Sequence, residues 1–263
     1  MKKWRRPSRT DNRPLTSGFL EECLKLAPLE TFDPEAFRGD AEVPQEICNF
    51  VLALALIYND CKDAIYAHVA LGDLRPAETP QRNRIWGAIS GAQLHIFRAV
   101  AALLHELFQL IERNRQHLDH EFFVALVQRL HPKQRGAWTA LVDVACDRAP
   151  TNQLGKKLVR LRNKVLFHYD PEEIFRGYRH HFLEPTKVDV RAYVSRGGSM
   201  RGSRFYFADA AVAGYLHSLA GAEPTGKLAE DIADVLDQVN LGLMMIVRTY
   251  IQRRGTYRLE AEQ

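Results

Sequence analysis

Cysteine is scarce in this chain, and the few cysteines are far apart. Of 263 residues only four are cysteine, at positions 23, 48, 61 and 146. No two of them have the Cys-x-x-Cys spacing of a zinc ribbon or a redox motif, so no disulfide framework is predicted. The amino terminus also has no apolar segment that resembles a cleavable signal. We expect reduced thiols and a cytoplasmic location.

Long hydrophobic runs are absent as well. The most apolar stretch, residues 50–57, is followed at once by Asn59, Asp60, Lys62 and Asp63. A helix needs about 20 apolar residues to cross the hydrocarbon core of a bilayer. The sequence therefore predicts no membrane span.

Several catalytic signatures are missing. There is no glycine-rich phosphate loop and no Gly-x-Ser-x-Gly elbow, which argues against the common nucleotide-driven and serine-hydrolase classes. Ten histidines include one close group, His117, His120 and Glu121, and one adjacent pair, His180 and His181. No second ligand cluster accompanies either, and solvated polar residues explain them more simply. We predict no metal and no cofactor.

The excess of positive charge is small but localised. The chain has 36 lysines and arginines against 32 acidic residues, a net charge of +4. Its basic residues crowd into residues 2–13, 156–162, 176–181, 191–204 and 248–258. Such clusters can neutralise a polyanion, or they can be the solvated faces of helices. An anionic partner is therefore compatible with the sequence without being demanded by it.

Hydrophobic periodicity predicts an all-α protein. Apolar residues recur at three- and four-residue steps, which is helix spacing. The predicted helices cover residues 18–26, 44–71, 81–115, 119–130, 134–146, 153–167, 209–220 and 227–253. We interpret residues 18–263 as one helical domain with two long helix pairs. A flexible basic arm, residues 1–17, precedes it because that stretch has too little apolar surface to bury itself.

A small β-hairpin is predicted late in this domain. Apolar and polar residues alternate between Lys187 and Ser195, and Gly197 and Gly198 then lead into a second extended run at residues 204–207. An alternating run that leads through a glycine pair into a second run is typical of a hairpin. The expected hairpin covers about residues 186–208.

The stretch from Leu161 to Asp170 combines the residue types that metal-free phosphodiester chemistry needs. The guanidinium of Arg162 can hold phosphate oxygens in a bidentate grip, and the imidazole of His168 can move a proton near neutral pH. The amide of Asn163 can hydrogen-bond to phosphate or orient a neighbouring side chain. From the spacing alone, a surface ion pair and a helix-end histidine explain the same residues at least as well.

Helix geometry separates the two key side chains of this motif, so a complete site would need two subunits. Six residues along an ideal helix put Arg162 and His168 about 120° apart and roughly 9 Å apart along the axis. Asp170 precedes Pro171, so the helix should end near His168. One imidazole cannot both take the proton of a 2′-hydroxyl and give one to the leaving 5′-oxygen. Two copies meeting across a twofold axis would supply both, which predicts a composite site in a homodimer.

The same residues resemble the signature of a known family. An arginine followed by a polar residue, with four to six residues before a histidine, near a helix end in an all-α chain, is similar to the motif of the HEPN superfamily (higher eukaryotes and prokaryotes nucleotide-binding domain). Arg162, Asn163 and His168 match it with five intervening residues, and only about ten residues carry the resemblance.

This resemblance implies a HEPN-like helical bundle that dimerises and, in many members, cleaves RNA without metal. It also implies a toxin or antiviral-defence effector with an antitoxin or defence-system partner protein. Members that pair with a small nucleotidyltransferase antitoxin often have a tyrosine two positions after the histidine. This chain has Asp170 there and Tyr169 next to the histidine, which argues against that kind of antitoxin.

A mixed basic and aromatic run follows the motif. Residues 176–181 contain arginines and histidines around Tyr178, and Phe182 comes next. Such a run suits a single-stranded nucleic acid, whose bases stack and whose phosphates need neutralising. A basic helix end that packs one aromatic side chain into the core is equally consistent. The hairpin arginines 191, 196, 201 and 204 have the same two interpretations.

We therefore predict a metal-independent endoribonuclease that binds RNA. Arg162 stabilises the pentavalent phosphate, His168 transfers protons and Asn163 positions them. The residues expected to line the substrate path are Lys164, Tyr169, Arg176 and Arg179. One alternative is a non-catalytic HEPN-like scaffold that binds a nucleotide, a nucleic acid or a protein partner. Another is a structural helical protein that associates through its basic arm.

Overall fold

The prediction of an all-α protein is confirmed. The computed structural model describes residues 30–74, 84–146, 153–161, 170–184, 192–195, 203–220, 227–255 and 258–259. In these residues the α-helices are α1 (Gln45–Asp73), α2 (Arg84–Arg113), α3 (Arg115–Leu118), α4 (Glu121–Gln128), α5 (Pro132–Ala145), α6 (Gln153–Leu161), α7 (Pro171–Tyr178), α8 (Tyr206–Ala220), α9 (Lys227–Gln238) and α10 (Met244–Arg254). A 3-10 helix covers Pro34–Phe37, and π-helical turns cover Arg179–Leu183 and Val239–Leu243.

The chain divides into two compact units. The larger unit, Phe32–Thr256, contains every helix just named. The smaller unit combines Met1–Thr31 with Tyr257–Gln263. Its two short strands, β1 (Glu30–Thr31) and β2 (Arg258–Leu259), pair antiparallel, with Glu30 opposite Leu259 and Thr31 opposite Arg258. The predicted arm and the predicted helix at residues 18–26 lie outside the described residues.

Two long helices form the centre of the larger unit. α1 and α2 pack against each other, and both contribute fully buried side chains such as Leu54, Leu104 and Ile111. Their predicted spans, residues 44–71 and 81–115, agree with the observed bounds to within three residues at each end. Shorter helices then cover this pair with aromatic residues, among which Phe123 lies 5.9 Å from Phe50 and 5.8 Å from Trp138 between ring centroids.

The predicted continuous helix at residues 227–253 is divided by a π-helical turn. α9 ends at Gln238, the turn covers Val239–Leu243, and α10 follows directly. Gly242 in this turn lies against α5, since a Cβ atom there would lie 2.6 Å from the backbone nitrogen of Trp138. Because this close approach depends on a neighbouring helix, periodicity along the chain does not reveal it.

The predicted hairpin stays a prediction. Residues 185–191 and 196–202 lie outside the described residues, and the described part at 192–195 and 203–205 has no regular strand. Antiparallel contact is nevertheless present. The backbone N–H of Ser195 donates to the carbonyl of Arg204 (3.0 Å), and that of Phe207 donates to the carbonyl of Tyr193 (3.3 Å).

One stretch of α2 is relevant to the predicted absence of a membrane span. Gly87–Arg113 is the one described helical stretch long and apolar enough to cross a bilayer. However, 44% of its most apolar window is buried inside the protein, where Ala101 and Leu104 are fully buried. A core helix meets the same length and composition criteria, so this helix is weak support for a membrane span.

The end of α10 fastens the irregular segment that precedes α1. Arg254 donates hydrogen bonds to the carbonyls of Ala36 (3.3 Å) and Arg38 (2.6 Å) and to the carboxylate of Asp40. Arg253 forms an ion pair with Glu42 (2.8 Å). The Asp40 carboxylate also accepts the backbone N–H groups of residues 42 and 43, each at 2.9 Å. These contacts close the segment onto the last helix.

The Asp40 carboxylate should make this contact sensitive to acid. Its hydrogen bond to Arg254, together with the backbone donors, lowers the pKa of Asp40 below the ordinary value of 3.8. A lowered folded-state pKa contributes stability that is present above the unfolded pKa and is lost as pH falls through the folded pKa. We expect Asp40→Asn to lower the urea midpoint at neutral pH.

The difference in urea midpoint between the wild type and Asp40→Asn should disappear at strongly acidic pH, where the wild-type carboxyl is also neutral. Urea unfolding at both pH values measures this. A difference that persists in acid would contradict the assignment to the ionised carboxylate.

Candidate nucleic-acid interface

Five residues of the predicted site lie outside the described residues. Arg162, Asn163, Lys164, His168 and Tyr169 belong to the interval between α6 and α7, residues 162–169. Their roles therefore stay predictions. The structure does describe the other two predicted residues, Arg176 and Arg179, and both helix ends that border the interval.

The helix before the motif is anchored in the core. α6 packs on α2, and its Leu158 and Leu161 are fully buried. Lys156 and Arg160 lie on the exposed side of the same helix. Leu161 is the residue immediately before Arg162, so the motif directly follows a buried helical side chain.

The helix after the motif begins with a strong cap. Asp170 has extended backbone angles (φ −61°, ψ 113°), as expected of a residue before proline. Its carboxylate accepts the backbone N–H groups of Glu172 (3.1 Å) and Glu173 (3.2 Å). Pro171 occupies the first helical turn, where its missing N–H costs nothing.

The prediction that the chain leaves helical geometry at Asp170 is confirmed. None of the predicted helices covers the residues that follow, whereas α7 starts one residue later. The signal was present in the sequence: Asp-Pro-Glu-Glu joins a capping residue, a first-turn proline and acidic residues near the positive end of the helix dipole.

A close helix crossing holds α7 in place. Gly177 of α7 faces the carbonyl of Ala211 in α8, and a Cβ atom at Gly177 would also lie 2.7 Å from the backbone nitrogen of Tyr215. Gly214 of α8 in turn faces the carbonyl of Gly177. Any side chain at either glycine would force the two backbones apart. The crossing therefore fixes which side of α7 faces outward.

The two described arginines of the predicted substrate path lie on that outward side. Arg176 forms an ion pair with Glu173 (2.9 Å), but 58% of its side chain is exposed. Arg179 is also exposed, and no carboxylate in the described part of the chain forms an ion pair with it. An exposed ion pair contributes little to stability, so both cations remain accessible to an anionic ligand.

Aromatic side chains accompany these arginines. Phe175 stacks with Tyr178 at 6.3 Å between ring centroids and an interplanar angle of 12°. Tyr178 continues to Phe182 at 4.7 Å. Phe175 is 58% exposed. We call the set Phe175, Arg176, Tyr178, Arg179 and Phe182 the α7 surface.

Accessible cations beside an exposed ring can hold a single-stranded nucleic acid, because phosphates pair with the cations and bases stack on the ring. The geometry is compatible with both interpretations of this run. Tyr178 and Phe182 are partly buried, as a packed helix end requires, whereas Phe175 is exposed.

Two of the histidines considered as metal ligands have other contacts. The Nδ1 atom of His120 accepts the backbone N–H of Phe122 (3.2 Å) and thereby caps α4. His180 contacts the carboxylate of Glu184 at 2.8 Å. Within the described ranges, no three histidine, cysteine or carboxylate side chains form a group that could hold a metal ion.

No disulfide involves the described cysteines, which are Cys48, Cys61 and Cys146. Burial raises the pKa of the Cys61 thiol to about 12. This thiol is therefore protonated at neutral pH, and a protonated thiol is a poor nucleophile.

Comparison of this chain with protein-family models, curated proteins and solved structures found no match.

A pair of glycine substitutions tests the crossing of α7 and α8. We expect Gly177→Ala to destabilise the protein by about 1–3 kcal/mol, because the added methyl group meets backbone atoms of α8. Gly136→Ala is the matched control, since Gly136 lies inside α5 with nothing within 4 Å of the added atom. It should stabilise by about 0.5–1 kcal/mol, because alanine loses less entropy in a helix. Urea unfolding compares the two, and effects of the same sign would refute this packing.

Proposed function

We propose that the chain is a metal-independent endoribonuclease of the HEPN type that works as a cytoplasmic homodimer. Support comes from the two helices on either side of the motif, α6 and α7. The buried end of α6 precedes Arg162 directly, and after His168 the chain enters a capped helix with the accessible Arg176 and Arg179. A reacting group near such a surface would have a nucleic-acid backbone within reach.

The chemistry assigned to the motif balances without a metal. The 2′-oxygen of one nucleotide attacks the adjacent phosphorus, and the bond from phosphorus to the 5′-oxygen breaks. One imidazole takes the 2′-hydroxyl proton and a second donates a proton to the leaving 5′-oxygen. The two would be His168 of the two subunits. The products are a 2′,3′-cyclic phosphate and a free 5′-hydroxyl.

The remaining residues of the motif act on the phosphate. Arg162 neutralises charge that develops on the non-bridging oxygens, where a guanidinium forms two parallel hydrogen bonds. Asn163 hydrogen-bonds to the phosphate or orients a partner side chain. Lys164, Tyr169, Arg176 and Arg179 guide the RNA toward it. A cell has to keep such a nuclease inhibited until it is needed, which is consistent with an antitoxin or defence-system partner.

Cleavage in excess chelator tests this proposal. Purified protein should cut RNA into fragments that end in cyclic phosphate. His168→Ala should lower the rate by about 10²–10⁴-fold, the usual contribution of a proton-transfer group. His95→Ala is the matched control, because His95 is an exposed histidine on α2. The fragments can be separated on a denaturing gel, and unchanged cleavage by His168→Ala would rule the site out.

The α7 surface also favours a second candidate, a scaffold that binds nucleic acid without cutting it. Its accessible arginines and exposed Phe175 need no catalytic partner to bind a single strand. Intact binding by a chain that never cleaves RNA would select this candidate.

Substitution of both arginines distinguishes RNA binding at the α7 surface from nonspecific attraction of RNA to exposed basic residues. Arg176→Ala with Arg179→Ala should weaken RNA binding and lower the slope of log Kd against log salt by about one for each lost phosphate contact. Arg129→Ala serves as the control, since Arg129 is exposed at the end of α4. Binding is measured by fluorescence anisotropy at several salt concentrations. Equal slopes in all variants would exclude phosphate contacts at α7.

A further inference from the structure

The exposed face of α6 carries charge of one sign. α6 contains Lys156, Lys157 and Arg160 and no acidic residue. Lys156 and Arg160 are both exposed, and 41% of Val159 beside them is exposed as well. Residues four apart on a helix lie on the same face, about 6 Å apart along the axis. We call Lys156 and Arg160 the α6 surface.

The fold does not neutralise these two cations. Among the ion pairs of the described residues, none involves Lys156 or Arg160. α10 shows the opposite case. It has no acidic residue either, but carboxylates of the segment before α1 pair with its last two arginines. The α6 surface is therefore available to a negatively charged ligand.

Mutual repulsion within the α6 surface also favours such a ligand. Like charges four residues apart on a helix repel each other and weaken the helix, whereas opposite charges at this spacing stabilise it. A helix face that needs only to be soluble can mix the two signs. Lys156 and Arg160 instead repel each other as long as no anion is bound. A bound polyanion would replace this repulsion by two attractions.

The packing of α6 argues against a lipid surface as the anion. A helix that binds a membrane interface buries its apolar face among the lipids. The apolar residues of α6 are not free for this, because Leu158 and Leu161 are fully buried and Leu154 packs against the core. A nucleic-acid strand needs only the cations, since its phosphates supply the opposite charge.

The spacing of the cations fits the spacing of phosphates. A strand in helical form has one phosphate for about every 3.4 Å of axis. Two cations about 6 Å apart along a helix thus match phosphates roughly two nucleotides apart. Each cation of the α6 surface can therefore contact a different phosphate.

α6 and α7 border the motif from both sides. α6 packs on α2, α2 also packs on α8, and α8 holds α7. The interval 162–169 joins Leu161 to Asp170, and a chain of that length spans at most about 32 Å. At about 3.4 Å per nucleotide, a strand of roughly ten nucleotides covers this distance. One strand can therefore contact the α6 surface and the α7 surface together.

We propose that the α6 surface is a phosphate-binding site for single-stranded nucleic acid, in which Lys156 and Arg160 each contact one phosphate. The site binds strands without regard to sequence, because phosphates carry no sequence information. It deepens the proposed function, and the choice of a nucleic acid over another polyanion rests on that function. The α6 surface holds the strand on one side of the motif and the α7 surface holds it on the other.

Salt-dependent binding of a strand that cannot be cleaved tests this proposal. A fluorescently labelled oligo(dT) has no 2′-hydroxyl and so cannot undergo the proposed reaction. We expect it to bind the full-length protein in anisotropy measurements. Lys156→Gln with Arg160→Gln should raise its Kd and lower the slope of log Kd against log salt. The expected decrease is about 0.7 for each lost phosphate contact, or about 1.4 for both.

Arg129→Gln with Lys133→Gln is the matched control. Arg129 and Lys133 are exposed, and the control removes the same two positive charges from another part of the protein. It should leave the slope for oligo(dT) unchanged. A slope that falls equally in both double variants would mean that only net charge matters, and this result overturns the proposal.

Lys156→Glu separates lost binding from lost folding. The new carboxylate would lie four residues before Arg160, which is the favourable order for an ion pair on a helix. We expect the urea midpoint to rise while oligo(dT) binding weakens. A variant that binds oligo(dT) like the wild type overturns the proposal. So does a wild-type protein that does not bind oligo(dT), or a dependence on Lys156 and Arg160 seen only with phosphatidylserine vesicles or poly-glutamate.

The two proposals fail in different ways. If oligo(dT) binding depends on Lys156 and Arg160 but RNA is never cut, the phosphate-binding site stands and the nuclease falls. If RNA is cut in a His168-dependent manner while oligo(dT) binding is the same without these two cations, the nuclease stands and the phosphate-binding site falls.

Discussion

The close contact between Gly177 and Gly214 is the constraint on which the candidate interface depends. Two helices can approach to backbone contact only where neither carries a side chain. Here that contact fixes α7 against α8. The fixed orientation leaves Phe175 and Arg176 in solvent while Tyr178 and Phe182 pack inward. A helix as short as α7 could not hold such an orientation by its own hydrogen bonds.

The long helices follow from the sequence because their burial is periodic. Residues such as Leu54 in α1 and Leu104 in α2 recur on faces wide enough to be recognised without knowledge of their neighbours. α7 is not apparent from periodicity for a different reason. Its start signal at Asp170 and Pro171 is also a stop signal for the helix before it, so the same residues indicate an end as readily as a beginning. Its eight residues are too few for apolar spacing to correct the omission.

The candidate site likewise has a part that the sequence predicts and a part that it does not. Local chemistry in the sequence suffices to select Arg176 and Arg179, since charge beside aromatic residues is visible without a fold. Whether a cation is neutralised is not visible in this way, because the carboxylate can come from a distant segment. A carboxylate of the segment before α1 pairs with Arg254, whereas no ion pair of the described residues involves Lys156 or Arg160. Which cations stay available to a ligand is therefore a property of tertiary packing.

The π-helical turn at Val239–Leu243 has a consequence for the rotational phase of the last helix. A π turn accommodates an additional residue, and each residue in an α-helix corresponds to on the order of 100° of rotation. The apolar stripe runs unbroken in the sequence from Leu228 to Tyr250, yet α9 packs on α5 whereas α10 packs on α1 and α4. The π turn thereby lets one continuous helix direct its apolar stripe at two different sets of helices, α5 along α9 and then α1 and α4 along α10.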